Sequence, residues 1–565
     1  MQQPHPDAIA PRDPGHVMQL ARMGSFHQSR LSFMRILLRR LKGDNWRFER
    51  PVFDIDARGV GRAVYCAHGP DHSYSLIAFA NDLPPEKRSD RVIATEWDAT
   101  FTLFDGVPDA ADLDRLAQNV PRQEAGRISA RELSLSRANR SVRLWDHVVT
   151  RLAAGQQPAR ALIDDVGYLM RTTAVYGSGK FGAADREETC NRPEFQAPFQ
   201  IEMLSVFLTR AFVMDLVEHL ARMLSPDTAV TMEPALRRRF GIGNSTGLGM
   251  APYLLNHPAL LNNWVAAREE ALARVRSLDS ATPAAAAAFA RIAARADLHA
   301  RAWHSEHPIQ IAKLSDLRAD MTRLLAHLET ADLTDDRPWN RLWLWGEGAL
   351  TLEGQEQLVS LLLEPYGDLV DGLAGCMAAD ETHHWRIDGS MSVARLSTLC
   401  AQVYGWALNT DWDSPAAQAR VWYVSEAKLE PRLGERRLEP VEPYEQPLCP
   451  GRDAVRMHGD LNRFDAGASV AAFLLAHPEH RHVARRTQIA ARLPYAEIRD
   501  NTISADLMPI DMLRAKLSFF GACHFDPRSD RWVRINMYQN APFPDDLAGE
   551  DADDWTYPPL AGEQA

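Results

Sequence analysis

Two glycine-rich stretches hold the residue types best suited to chemistry. The first, YGSGKFG at 176–182, sets Gly177, Gly179 and Gly182 around Lys180. Glycines let backbone N–H groups converge on oxygen atoms, and a lysine neutralises the charge those oxygens carry. Arg171, Thr172, Thr173, Tyr176 and Ser178 crowd the same short segment, so it reads as a seat for an anion. It is not a Walker A loop, because G-x-x-x-x-G-K-[ST] is absent and Phe181 stands where Ser or Thr would hold Mg²⁺. The run does satisfy G-x-G-x-x-G, but the periodicity predicts a helix over 159–170 ahead of it. A phosphate loop or dinucleotide turn needs a strand there, and a plain turn between helices would use the same residues.

The second stretch is RRRFGIGNSTGLGMAPYLLNHP, 237–258. Gly241, Gly243, Gly247 and Gly249 surround Asn244, Ser245 and Thr246, and a helix is expected from 251 with Pro252 in its first turn. A glycine loop that delivers a helix N-terminus offers free N–H groups and the positive end of the dipole to an anion. A serine or threonine cap for that helix is the plainer alternative. GNSTG also fits G-x-S-x-G around Ser245, which in a hydrolase elbow follows directly on a strand; RRRFGI reads as a poor strand.

Through Ser245, Met250, Pro252, Asn256 and Pro258 this stretch is similar to the signature loop of the fumarase/aspartase superfamily. That resemblance implies a nearly all-helical fold and a mobile loop serving acid–base chemistry. The lysine that family places between Pro and Asn is absent here, where Leu254 and Leu255 lie. Farther on, His458, Gly459, Asp460 and Leu461 resemble the catalytic loop of aminoglycoside and choline kinases, with Asp465 in place of its asparagine. That resemblance implies an ATP-using kinase, although a helix is expected where such a kinase carries its metal-binding strand.

The expected catalytic residues are Tyr176, Lys180, Ser245 and His458, with Tyr176, Ser245 or His458 for proton transfer and Lys180 for charge, while Arg171, Ser178, Asn244, Thr246 and Gly247 help to hold a carboxylate or phosphate. The reading is an enzyme, a lyase or group transferase, acting on a small anionic metabolite. A non-catalytic helical assembly module and an ATP-using kinase or ligase are the alternatives. Two Glu-x-x-His spacings, Glu381/His384 and Glu479/His482, read as helix-end residues, so no metal site is expected; the cofactor stays open. Asp54, Asp56, Glu96 and Asp98 alternate with apolar residues and read as a solvated sheet face.

These residues need elements to position them. Residues 1–16 are polar and proline-rich and read as a disordered arm. Alternation over 46–105 predicts about four antiparallel strands within a small α+β region, 17–125. Helical periodicity dominates a core region, 126–378, including candidate helices over 130–154, 159–170 and 199–223. A mixed region, 379–545, and an acidic, solvated tail, 546–565, complete the chain. The expected fold is α+β and mostly helical, a central helical bundle with antiparallel strands in the N-terminal and C-terminal regions.

Composition bounds the rest. With 45% hydrophobic and 24% charged residues over 565 positions, the chain reads as globular. A net charge of −12 argues against nucleic acid as a partner. Six dispersed cysteines without a CxxC pair argue against zinc ribbons and disulfide scaffolds, and point to a reducing cytoplasm. No run is long and apolar enough for a membrane span, and a homodimer is expected on general grounds. The basic stretch at 29–47 reads as the wet face of an amphipathic helix, or a surface for an anionic partner.

Overall fold

A computed structural model describes residues 9–87, 96–122, 129–174, 189, 191–246, 257–303, 305–377, 385–414, 421–424, 432–434, 446–499, 509–526, 533–549, 553 and 555–557. The fold is α+β and mostly helical. Among the described residues the larger of two sheets has nine strands. β1 (Arg47–Ile55), β2 (Gly61–His68), β3 (Ser73–Ala80) and β4 (Ala99–Asp105) form the expected meander. β5 (Glu132–Arg140), β6 (Tyr168–Ala174) and β7 (Gly241–Thr246) extend it. β8 (Val421–Val424), β9 (Arg432–Gly434) and β10 (Gln446–Leu448) make a separate small sheet. β11 (His524–Asp526) and β12 (Val533–Met537) return to the large one, whose order is β1-β2-β3-β4-β5-β6-β7-β12-β11.

The N-terminal and C-terminal strands thus meet in one sheet, joined by three strands from the segment where helical periodicity dominates. The helix expected over 130–154 is β5 followed by a shorter helix, and the one expected over 159–170 ends early and turns into β6. The nearly all-helical fold implied by the fumarase/aspartase resemblance does not hold either.

The helices used below, in chain order, are α1 (Phe33–Gly43), α2 (Ala110–Asn119), α3 (Trp145–Ala153), α4 (Arg160–Val166), α5 (Gln200–Leu224), α6 (Pro258–Arg276), α7 (Pro283–Ala302), α8 (Pro308–Leu328), α9 (Pro338–Ala349), α10 (Leu352–Leu363), α11 (Val393–Leu408), α12 (Pro450–Leu461), α13 (Val470–Ala476) and α14 (Arg481–Ala490). α5 is apolar all round and lies across one sheet face, against Tyr65, Phe101 and Tyr538. Two of its acids meet donors: Asp215 accepts from Tyr65 Oη at 2.7 Å, and Glu218 accepts from the Met232 backbone N–H at 3.1 Å. α2 covers the other face through Leu113 and Leu116, packed with Val64, Ile77, Phe79 and Leu135. An Asp109–Asp112 capping box starts α2. α6 to α10 pack around Trp264, Trp339 and Trp343. α11 to α14 form a satellite around Val393, Leu396, Tyr404 and Phe473.

Both chain ends depart from expectation. Arg12 is buried and donates to Glu269 at 2.7 and 2.8 Å and to Glu356 at 3.0 Å, so the described part of the N-terminal arm is packed rather than free. Asp553 accepts from Arg35 at 3.0 Å and Arg39 at 2.8 Å, and Trp555 is buried, so the acidic tail is not simply solvated. The anions facing basic α1 are the chain's own, Asp553 of the C-terminal segment and Glu364, which accepts from Arg35 at 2.7 and 2.9 Å. Asp98 is also buried, accepting from the Arg140 backbone N–H at 2.9 Å, which removes it from the solvated face expected of it. Among the described residues, no helix is long and apolar enough to cross a membrane.

Candidate functional site

The first glycine stretch follows β6, whereas the first half of the second, expected to be a loop, is itself the strand β7, which changes the chemical context of both. β6 and β7 are neighbours and run parallel, the only parallel pair in the large sheet among the described residues. The register sets Arg171 beside Gly243 and Thr172 beside Asn244. The chain leaves β6 at Ala174 and β7 at Thr246, so both stretches continue from the same end of the sheet. β12 enters there too, with Val533 opposite Thr246. α5 lies between the two strands in sequence, so this part of the chain is a βαβ unit. In open sheets of such units, ligands bind beyond the carboxyl ends of the strands.

Polar side chains are buried beneath that end. Asn244 Nδ2 donates to Thr172 Oγ1 at 3.3 Å. The register also aligns Asn139, Arg171, Gly243 and Asn536 as one row across β5, β6, β7 and β12. Asn139, Arg171 and Asn536 are all buried. Asn139 Oδ1 accepts from the Asp98 N–H at 2.8 Å, which fixes the start of β4. Asn536 Nδ2 donates to Gln539 Oε1 at 3.2 Å, while Asn536 Oδ1 and the Tyr168 hydroxyl are buried without a partner among the described residues. Buried polar atoms almost always have a partner; these two residues sit toward the end where β6 and β7 begin, since Tyr168 opens β6 and Asn536 Nδ2 also donates to Val166 O at 3.4 Å.

Gly243 is required at its place. A Cβ there would lie 2.6 Å from Tyr168 Cγ, because the ring rests on the glycine backbone. Gly243→Ala is expected to destabilise the protein by about 1–3 kcal/mol, read as a lower urea midpoint. An unchanged midpoint would mean the Tyr168 ring yields freely.

Of the expected site residues, Arg171, Asn244, Ser245 and Thr246 lie on the two parallel strands, the last two closing β7. Tyr176, Ser178, Lys180 and Gly247 lie outside the described residues. His458 is elsewhere: it sits on α12, which packs against α11 and α14 in the satellite. There His458 Nδ1 is 3.3 Å from Asn462 Nδ2. His458 to Leu461 form the last turn of a regular helix, not the loop implied by the kinase resemblance.

The second glycine stretch leads to Pro258, the first residue of α6. Pro258 lines a cleft with Pro450, Asp453, His482, Val483, Arg485 and Arg486. Burial, helped by Arg486, Arg485 and Arg481, lowers the His482 imidazole below its ordinary value. Burial raises the Asp453 carboxyl despite Arg452 and Arg456. A neutral imidazole and a carboxyl of raised pKa among arginines are suited to proton transfer near an anion. His482 is therefore the histidine that the fold brings to this stretch.

Tyr168, Asn139 and Asn536 escape a reading of motifs because none belongs to one. One signal was available for β6: Gly167, left-handed at φ 71°, ends α4 and frees the Thr-rich residues after it to extend. The chain matches no protein-family model, no curated protein and no solved structure.

Proposed function

We propose that this protein is an enzyme acting on a small anionic metabolite, a carboxylate or phosphate, as a lyase or group transferase. The observation that carries the proposal is the parallel pairing of β6 and β7, which starts both glycine stretches from one end of the sheet. Lys180 and Arg171 supply positive charge there, and the backbone N–H groups of 245–247 supply donors. Tyr176 and Ser245 are the groups that exchange a proton with the substrate. His458, on its separate helix, takes no part in this reading.

A thermal-shift screen of small carboxylates, phosphate esters and nucleotides tests it. A ligand at about a hundred times its Kd stabilises the native state by about 2.7 kcal/mol, enough to move Tm. The shift is expected in the native chain and to be lost in Lys180→Ala and Arg171→Lys. A carboxylate or phosphate that shifts all three chains equally would sink the proposal. ATP shifting only the native chain would move the assignment to a kinase or ligase.

A further inference from the structure

Outside the glycine stretches, four side chains of metal-ligating type converge in the helical satellite. The turn His477-Pro478-Glu479-His480 joins α13 to α14, and it meets Asp460 in the last turn of α12. His480 Nε2 lies 2.8 Å from Asp460 Oδ2 and 3.9 Å from Glu479 Oε1. His477 Nδ1 lies 3.3 Å from the same Glu479 oxygen. One ligand atom from each of the four residues falls within 4.8 Å of all the others. In a tetrahedral centre with bonds of about 2.0–2.1 Å, neighbouring ligand atoms stand about 3.3 Å apart. The observed separations bracket that spacing, so small side-chain rotations would complete the shell.

The surroundings orient the ligands. The Phe473 ring lies parallel to His480, 3° between planes at 5.8 Å, and within 5.0 Å of His477. Phe464 packs edge-on against both Phe473 and His477. This apolar wall holds the two imidazoles on one side, while the Glu479 side chain is 61% exposed and leaves an entry from solvent. Arg463 occupies the other Asp460 oxygen, Oδ1, at 3.1 Å, leaving Oδ2 to face the cluster. Such a partner fixes a ligating carboxylate from outside.

We propose that Asp460, His477, Glu479 and His480 bind one divalent transition-metal ion of the zinc class. Two imidazoles and two carboxylates suit Zn²⁺ or Co²⁺ better than the thiophilic metals. Four protein ligands close the shell, so the ion is structural and clamps the end of α12 to the α13–α14 turn. The site is independent of the proposed activity.

The test uses the full chain after dialysis against a chelator. Calorimetric titration with ZnCl₂ is expected to show one ion per chain and a higher Tm when loaded, and Co²⁺ should give the strong visible bands of tetrahedral coordination. His477→Ala and Glu479→Gln alter partly exposed side chains, so the fold should survive, as far-UV circular dichroism would show. Each is expected to weaken Zn²⁺ binding by roughly a hundredfold, since even outer-shell losses cost 10–100-fold. Equal Zn²⁺ affinity in the native chain and both variants, or no binding by the native chain, would overturn the assignment. A weak, octahedral-type Co²⁺ spectrum would overturn it as well.

Discussion

Replacing Arg210 with methionine is expected to cost on the order of 4 kcal/mol or more, a large part of the 5–15 kcal/mol that holds a typical domain together. Arg210 is buried at the middle of α5, and carbonyl oxygens are its partners. Nε donates to Phe240 O at 2.6 Å, Nη1 to Ala541 O at 2.8 Å and Pro542 O at 3.2 Å, and Nη2 to Arg238 O at 3.0 Å. Its guanidinium carbon also stands 3.7 Å from the centre of the Phe543 ring. Burial pulls its pKa well below the usual guanidinium value. One side chain therefore pins both the entry to β7 and the exit from β12 onto α5. Methionine fills much of the volume but withdraws the guanidinium donors from four carbonyls, at about 1–3 kcal/mol for each left unsatisfied; Arg238 O keeps its bond from the Asn540 N–H at 2.7 Å. Arg210→Lys keeps the charge, but a compact ammonium cannot span the same acceptors, so only part of the loss should return. Urea unfolding followed by circular dichroism measures both. A methionine variant within about 1 kcal/mol of the native chain would refute this account.

Glu356→Gln is expected to cost about 3–5 kcal/mol, because it removes the anion at the centre of three buried arginines. Glu356 accepts from Arg12 at 3.0 Å, Arg22 at 2.9 Å and Arg268. Burial alone would raise its pKa; Arg12, Arg268 and Arg22 overcome that and bring it down to about 2. Three residues away, Glu353 goes the other way, because burial outweighs Arg514 there. The sign of the pH effect follows from a folded pKa below the unfolded one. The stabilisation from Glu356, roughly 3 kcal/mol, is fully present above the unfolded value of about 4.3, and is lost as pH falls through about 2. Native stability should therefore drop steeply between those limits, and the glutamine variant should show a shallower slope. Equal slopes would mean that Glu356 is not the group being protonated.

Much of the fold is legible in short windows of sequence, and the failures share a cause. The meander β1 to β4 announces itself because each strand alternates between a face covered by α5 and a face covered by α2 or solvent. α5 is equally plain, as a long apolar run whose charges must find buried partners. β7, Gly-Ile-Gly-Asn-Ser-Thr, has almost no strand propensity. It is extended because β6 and β12 pair with it on both sides, from about seventy residues earlier and three hundred later in the chain. β6 is hidden differently, since its apolar residues continue the period of α4 across Gly167.

The candidate site divides along the same line. Glycine spacing alone picks out the two stretches and the residues suited to an anion, because a tight bend and a free N–H group are local properties of the backbone. The parallel alignment of their parent strands, the row of Asn139, Arg171 and Asn536, and the removal of His458 to another helix cannot be read there. Each depends on which distant segments pair. Local windows therefore specify element types, charge and the chemistry on offer, since those follow from side-chain periodicity and backbone freedom. Which groups meet is settled by long-range strand pairing and by buried charges such as Arg210 and Glu356, whose partners lie tens to hundreds of residues away.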